Sequence, residues 1–231
     1  MALRFITASR ASLDDFRQTS PLVKSLLRVS RYAAIELNVS ADNRAPLADV
    51  YNRAIGAAEP EDTLVFIHDD VWIDDWMIAS RLTEALARYQ VVGVAGNRRR
   101  EPRQESWCLL SDAHCHDLEY LSGAISHGRP EKSEINFFGA APVEVKLLDG
   151  VFLAVTAGTL QTAGIRFDPA FGFHFYDTDF CRSCEQAGLR MGTWPIALTH
   201  ESKGVIATPE WNAAFSTYLI KWNEETLSAG K

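Results

Sequence analysis

Within the first seventy residues, short apolar runs alternate with amphipathic segments, and no other feature limits the possible folds as much. "LRFITAS" (3–9) is a strand candidate. In "SPLVKSLLRVSRY" (20–32), Ser20 is placed to cap a helix that carries Pro21 at its first position and Leu22, Leu26 and Val29 along one face. "AAIELNV" (33–39) predicts a second strand and "APLADVYNRAIGAA" (45–58) a second helix. "TLVFIH" (63–68) predicts a third strand, almost unbroken in its apolar character and so suited to cover on both faces. A β-α-β-α-β order implies parallel strands joined by crossover helices, with ligands gathering beyond the carboxyl ends of the strands.

At such an end stands "FIHDDVWIDDW" (66–76), four aspartates and a histidine behind an apolar run. "DDWMIASRLTEALARY" (74–89) predicts a helix with Asp74 and Asp75 in its first turn, where the positive end of the helix dipole favours them. Asp69 and Asp70 come too early for that explanation, which leaves a solvated loop or a divalent cation. "VVGVAG" (91–96) predicts another buried strand, and residues 97–142, with scattered Gly, Pro and charge, a long insertion of loops and short hairpin strands. Residues 143–164 supply a strand, the Asp149-Gly150 turn, a second strand and a short helix. A helix over 177–187 stopped by Gly188, a strand over 191–196 and a closing amphipathic helix over 208–225 complete the pattern.

The 231 residues, 47% of them hydrophobic, can bury one sizeable core. Against 30 acidic residues stand 23 Lys and Arg, a net charge of -7, which argues against a broad basic face for nucleic acid. The short cluster Arg98, Arg99, Arg100 and Arg103 suits either a solvated loop or an anion contact. No run of eighteen apolar residues occurs and no long apolar leader opens the chain, so a soluble, cytoplasmic protein without a transmembrane segment is expected. Four cysteines are sparse for a disulfide scaffold. Cys108, His114, Cys115 and His116 with Cys181 and Cys184 have the wrong spacing for structural zinc, since six residues separate Cys108 from Cys115 and the other pair falls in a predicted helix.

Acidic groups recur at three distant places, Asp69 with Asp70, Asp149, and Asp177 with Asp179, and His200 follows a later strand. Carboxylates with a histidine suit a divalent ion such as Mn2+ or Mg2+, which completes its shell with water and phosphate. Neither a Gly-rich dinucleotide fingerprint after the first strand nor a G-x-x-x-x-G-K-[ST] loop is present, so a diphosphate would need a metal to offset its charge. "GFHFYDTDF" (172–180) interleaves stacking surface with acid–base groups, as sugar sites do, or forms a strand at the edge of the core.

In their order along the chain, "ADVYNRAI" (48–55), "VFIHDDV" (65–71), "LDGVFLAV" (148–155), "FGFHFYDTDF" (171–180) and "HESKG" (200–204) resemble a family 2 glycosyltransferase with the GT-A fold. The similarity spans residues 3–204 and is greatest to the bacterial subgroup with an H-x-D-V motif, related to a domain of streptomycin-biosynthesis proteins. It implies an α/β fold with a mostly parallel central sheet flanked by helices and a small secondary sheet. One GT-A-like domain over 1–231 would comprise a nucleotide-binding half (1–96), an acceptor-binding half (97–207) and a C-terminal helix (208–231).

Carried onto this chain, the resemblance makes Asp70 the leading metal ligand, with His68 where many relatives have the first aspartate of D-x-D, one negative charge fewer to hold Mn2+ or Mg2+. His200 matches the late histidine near metal and diphosphate, and Asp177 the catalytic base, with Tyr176 replacing the acid that commonly precedes it. Asp179 would orient the loop or cap the helix, and Asp149 with Gly150 would floor the space between donor and acceptor, with His174 beside them. Asn43, Asn52 and Asp69 are the candidate donor contacts. As bland alternatives, Asp177 or Asp179 would be an N-cap, His200 a hydrogen-bonded strand-end histidine and Asn52 a backbone partner.

The implied reaction is inverting transfer of a sugar from a nucleotide-diphosphate donor to the hydroxyl of a glycan or small-molecule acceptor, of the kind that makes a surface polysaccharide or a decorated metabolite. The alternatives are a non-catalytic domain that binds nucleotide or glycan and a metal-dependent nucleotidyltransferase or phosphohydrolase.

Overall fold

The computed structural model describes residues 2–110, 115–202 and 204–225. The first part of the chain runs β1 (Leu3–Ala8), α1 (Leu13–Thr19), α2 (Pro21–Val29), β2 (Ile35–Ser40), α3 (Leu47–Ala57), β3 (Thr63–Ile67), β4 (Val71–Ile73) and α4 (Ile78–Arg88). Then come β5 (Val91–Gly93), β6 (Ala95–Asn97), β7 (Leu109–Leu110), β8 (Cys115–His116), β9 (Leu121–His127), β10 (Glu134–Gly139), β11 (Val143–Val145) and β12 (Leu147–Leu148). The remainder is β13 (Phe152–Thr156), α5 (Ala157–Ala163), α6 (Tyr176–Gln186), β14 (Met191–Thr193), β15 (Leu198–His200) and α7 (Pro209–Lys221).

A seven-stranded sheet in the order β11-β14-β5-β13-β3-β1-β2 forms the centre. Strands β1, β2, β3, β5 and β14 run one way, while β13 and β11 run against them. The apolar run of β3 is inaccessible from Leu64 to Ile67, as a strand covered on both faces must be. Ser20 caps α2 as its position predicts, its hydroxyl accepting from Val23 N. The same hydroxyl donates to the carbonyl of Asp69 at 3.0 Å, tying the helix entry to the end of β3.

A second sheet, β12-β6-β9-β15-β4 with β10 on β9, lies at the carboxyl end of the first. It is made largely from the stretch predicted as loops and short hairpin strands: β9 and β10 form such a hairpin, and β9 also pairs with β6 and β15. The single strand predicted over 91–96 is two strands. Val94 is the switch point, sending β5 into the central sheet and β6 into the second, and its carbonyl accepts from Ala124 N at 3.2 Å.

Asp74 and Asp75 also differ from expectation. Helix α4 begins at Ile78 and has no acid in its first turn. Asp74 instead accepts from the Thr199 hydroxyl at 2.7 Å, and Asp75 is buried, accepts from Met77 N and pairs with Arg81. The backbone N–H groups of both reach the carbonyl of Ala197, so long-range pairing holds the segment out of the helix.

Candidate functional site

Two chain crossings meet beyond β3. His68, Asp69 and Asp70 follow that strand, and β15 brings His200 alongside, locked by a Glu201 N–H to Asp70 carbonyl bond of 3.0 Å. One ligand atom from each of His68, Asp70 and His200 lies within 4.8 Å of the others. His200 Nε2 is 3.1 Å from Asp70 Oδ1, 3.4 Å from His68 Nδ1 and 3.0 Å from the Ser202 hydroxyl. Ser202 N donates to the other oxygen of Asp70 at 3.2 Å.

The tautomer of His68 follows from its neighbours. The Tyr176 hydroxyl donates to the carbonyl of Gly150 at 2.8 Å, so its oxygen receives the proton on His68 Nε2, 3.0 Å away. That assignment leaves the Nδ1 lone pair facing His200 and Asp70, the arrangement a metal-ligating imidazole needs. Burial, and then the neighbouring His200, pull the His68 imidazole down to about 4, which keeps it neutral at physiological pH. Burial opposes the charge of Asp70, but the hydrogen bond and charge of His200 outweigh it and hold the carboxyl well below the ordinary range. Two imidazoles and one ionised carboxylate, open on one side, fit a divalent transition metal.

Asp69 adjoins this set without belonging to it. It lines a cleft of about 140 Å³ with Ala8, Leu47, Tyr51, His68, Asp70 and Phe173, and burial raises its carboxyl, opposed by a hydrogen bond to Ser9. Phe173 is 53% exposed and stacks on His68 at 5.7 Å, presenting a free aromatic face at the mouth. A larger cavity of about 600 Å³ lies on the other side of β15, lined by Thr199, Ser126, Ile135, Phe137 and Trp194, and none of the three ligand candidates borders it.

The second group is built on the start of α6. Phe175, immediately before the helix, has φ 64°, a left-handed conformation that a bulky side chain adopts only when its surroundings impose it. This turn swings Tyr176 and Asp177 beneath Gly150. A Cβ at residue 150 would collide with the Tyr176 hydroxyl and lie 2.9 Å from Asp177 Cβ, so only glycine fits there. Gly150 N donates to Asp177 Oδ2 at 3.0 Å and Thr178 N to Oδ1 at 2.8 Å. Burial nevertheless raises the Asp177 carboxyl. Asp149, held by Val151 N at 2.9 Å, is raised to about 6 by burial and by the charge of Asp177, with a hydrogen bond from Trp107 in partial opposition. His174 is half-buried; desolvation lowers its imidazole, opposed by the charges of Asp177 and Glu210.

Other expected residues do different work. Asn52 gives both ends of its amide to the backbone of Phe167, at 2.8 and 2.9 Å, and so braces α3 rather than facing a ligand. Asn43 sits in the loop after β2, donates to the carbonyl of Ala45 at 2.8 Å and does not border the cleft. Asp179 is fully buried against Lys221 and Trp222 Nε1, a bond to the C-terminal helix rather than a cap or an acceptor contact. The arginine cluster forms neither a solvated loop nor an anion site: Arg99 clamps Asp117, Arg100 reaches Glu185 and Glu224, and Arg103 bonds to Glu224 and Glu225. His114 and Lys203 lie outside the described residues. Trp107, Phe173 and Ser202 are the site neighbours that sequence reasoning passed over. Phe173, inside "GFHFYDTDF", and Ser202, inside "HESKG", carried a signal; Trp107 carried none.

The family model described as "Glycosyltransferase like family" matches residues 14–216. No curated protein matches in sequence. Among solved structures the chain is similar to GalNAc-T7 with UDP, GalNAc and Mn2+, at a TM-score of 0.59 and 10% identity, covering 100% of this chain and 53% of that one. It is also similar to A197 from STIV (0.48, 16%, covering 90% and 98%) and to S. aureus TarS 1-349 (0.48, 13%, covering 99% and 67%). At such identities the likeness to GalNAc-T7 is one of fold, and that fold is GT-A.

Proposed function

Because the chain belongs to the glycosyltransferase-like family, we propose that it moves a sugar from a nucleotide-diphosphate donor to an acceptor hydroxyl, with inversion and with the help of a divalent metal. The observation that carries this reading is the meeting, at one sheet rim, of a His68–Asp70–His200 ligand set with a half-buried carboxylate, Asp177, that forms no ion pair among the described residues.

His68, Asp70 and His200 hold the metal, and two imidazoles favour Mn2+ over the harder Mg2+. When bound, the metal supplies positive charge against the departing nucleoside diphosphate. Tyr176 fixes the ring of His68. Asp69 and the Phe173 face border the donor cleft, which suits a UDP- or dTDP-type nucleotide, in keeping with a donor half over 1–96. Asp177 takes the proton of the attacking acceptor hydroxyl; burial raises its basicity, and the N–H of Gly150 aims the carboxylate. Asp149, Gly150 and His174 form the floor on the acceptor side, contributed by 97–207.

His68 and Tyr176 are the two departures from the family 2 pattern, and they touch at 3.0 Å. A single compensated exchange explains both: the histidine replaces a carboxylate ligand, and the tyrosine supplies the acceptor that fixes its tautomer. The pairing favours a working site over a non-catalytic binding domain, and "HDDV" is compatible with the bacterial H-x-D-V subgroup.

A thermal-shift screen of nucleotide sugars with and without Mn2+, followed by product analysis, tests the reading. Metal-dependent stabilisation by one donor and release of nucleoside diphosphate are expected. Release of pyrophosphate would mark a nucleotidyltransferase instead, and binding without release across a broad acceptor panel a binding domain.

A further inference from the structure

Helix α2 has two unlike faces. Leu22, Ser25, Leu26 and Val29 are buried, whereas Lys24, Leu27, Arg28 and Arg31 are exposed, Leu27 by 65%. Beside the exposed face, the segment before α4 turns Trp76 and Met77 outward, at 51% and 59% exposure. Tyr32, 70% exposed, packs edge-on against Trp76 at 5.7 Å. The Arg28 guanidinium joins the helix to this surface, lying 6.0 Å from the ring of Trp72 and 5.9 Å from that of Trp76.

The charge of this surface is one-sided although the chain carries a net -7. Residues 16–35 contain no Asp or Glu. The nearest carboxylates are occupied elsewhere: Asp75 is buried against Arg81, Asp74 holds the Thr199 hydroxyl, and Glu201 accepts from the Trp72 indole at 3.0 Å. Among the described residues, Lys24, Arg28 and Arg31 form no ion pair.

Exposed Trp and Tyr rings, aliphatic tips and unpaired cations on one face match the interfacial layer of a lipid bilayer, where the rings sit among headgroups, the tips enter the acyl boundary and the cations meet anionic lipid. A surface for soluble sugar would flank its rings with free carboxylates and amides able to bond hydroxyl groups; here Leu27, Met77 and a guanidinium accompany Tyr32 and Trp76, and the one carboxylate at the rings, Glu201, is taken by the Trp72 indole. We propose that the exposed face of α2, together with Tyr32, Trp72, Trp76 and Met77, attaches the protein to the surface of a bilayer rich in anionic phospholipid. Strand β4, which carries Trp72, leads directly out of Asp70, so attachment would hold the ligand cluster close to the membrane.

Co-sedimentation with phosphatidylcholine vesicles, with and without phosphatidylglycerol, tests the proposal without nucleotide, metal or turnover, and so independently of the proposed reaction. The wild-type protein is expected to pellet with the mixed vesicles only, and less so as salt is raised. Replacing Lys24, Arg28 and Arg31 together by Gln should lower partitioning on the order of 100-fold, roughly fivefold for each cation. The double variant Trp76→Ser, Met77→Ser should lose binding as well, with an unchanged melting curve because both side chains are exposed. Failure of the wild-type protein to pellet with anionic vesicles would overturn the proposal, as would pelleting that neither variant reduces. Tryptophan fluorescence that responds to maltohexaose but not to vesicles would identify a carbohydrate surface and overturn it too.

Discussion

Asp177 and Asp179 stand two residues apart in the first turn of α6, yet their surroundings are opposite. Asp179 is sealed into a latch: Lys221 Nζ lies 2.7 Å from Oδ1 and also reaches Asp168 at 2.7 Å, and the Trp222 indole donates to Asp179 at 3.0 Å. Arg182 and Glu224 extend this latch with a pair at 2.8 Å, the guanidinium stacked 4.1 Å over Trp222. Asp177 is met by the N–H groups of Gly150 and Thr178, the Thr178 hydroxyl at 3.4 Å and the like charge of Asp149, and forms no ion pair among the described residues. The lesson is that a buried carboxylate's role is set by whether a cation faces it. Burial raises both carboxyls; at Asp179 the Lys221 ammonium opposes the rise and ties down the C-terminal helix, whereas at Asp177 hydrogen-bond donors alone oppose it.

The most severe way to break this contrast is Asp177→Asn. It keeps the shape and one of the two backbone N–H contacts but removes the proposed base, so transfer should fall on the order of 10³-fold. Nucleotide binding, measured by calorimetry with Mn2+, should stay within error of wild type. Full transfer by this variant would remove Asp177 from the mechanism.

The reverse experiment is Lys221→Ala, which leaves Asp179 buried with only the Trp222 donor. A cost of about 2–3 kcal/mol is expected, below the range for a fully buried pair because Lys221 is partly exposed. For a chain of this size that lowers the melting temperature by roughly 4–12 °C. Donor affinity measured well below the melting point should not change. A loss of affinity equal to that of a ligand-set variant would show that the latch and the rim are one unit.

Tyr176→Phe sharpens the comparison at the metal side. It deletes the acceptor that fixes the His68 tautomer and touches none of the three ligand atoms. Mn2+ affinity should drop roughly 10–100-fold, the usual effect of losing such an orienting partner. Calorimetric titration in the presence of UDP measures it, and an unaltered affinity would mean that His68 needs no orienting group.

The parts of this arrangement that were legible in the sequence are those set by local pattern. The run before His68 could only be a buried strand, and Ser20-Pro21 could only open a helix. His68, Asp70, His200 and Asp177 were reached because each ends a strand or begins a helix in a recognisable order. What escaped depends on contacts across long distances. Val94 divides one apolar run between two sheets, which hydrophobicity alone cannot reveal. Asp74 and Asp75 obey the carbonyl of Ala197 rather than the helix dipole. Asn52 faces Phe167, 115 residues away, and Asp179 faces Lys221, 42 away. Trp107 reaches Asp149 from a stretch with no periodicity.

The smallest expected effect concerns Asp149, whose place on the floor makes it a cost to the fold. Its carboxyl, raised to about 6 by burial and by Asp177, binds a proton more tightly in the folded chain than in the unfolded one, where it titrates near 4. Its contribution to stability is therefore complete below about pH 4 and is lost as the pH rises through about 6. Asp149→Asn keeps an oxygen for the Val151 N–H and removes the charge. At neutral pH the variant should be more stable by about 1–2 kcal/mol, less than the full shift implies because the group is not wholly enclosed. Below pH 4 the two proteins should melt alike. Melting curves from pH 4 to 8 that run parallel for the two proteins would show that Asp149 is already solvated.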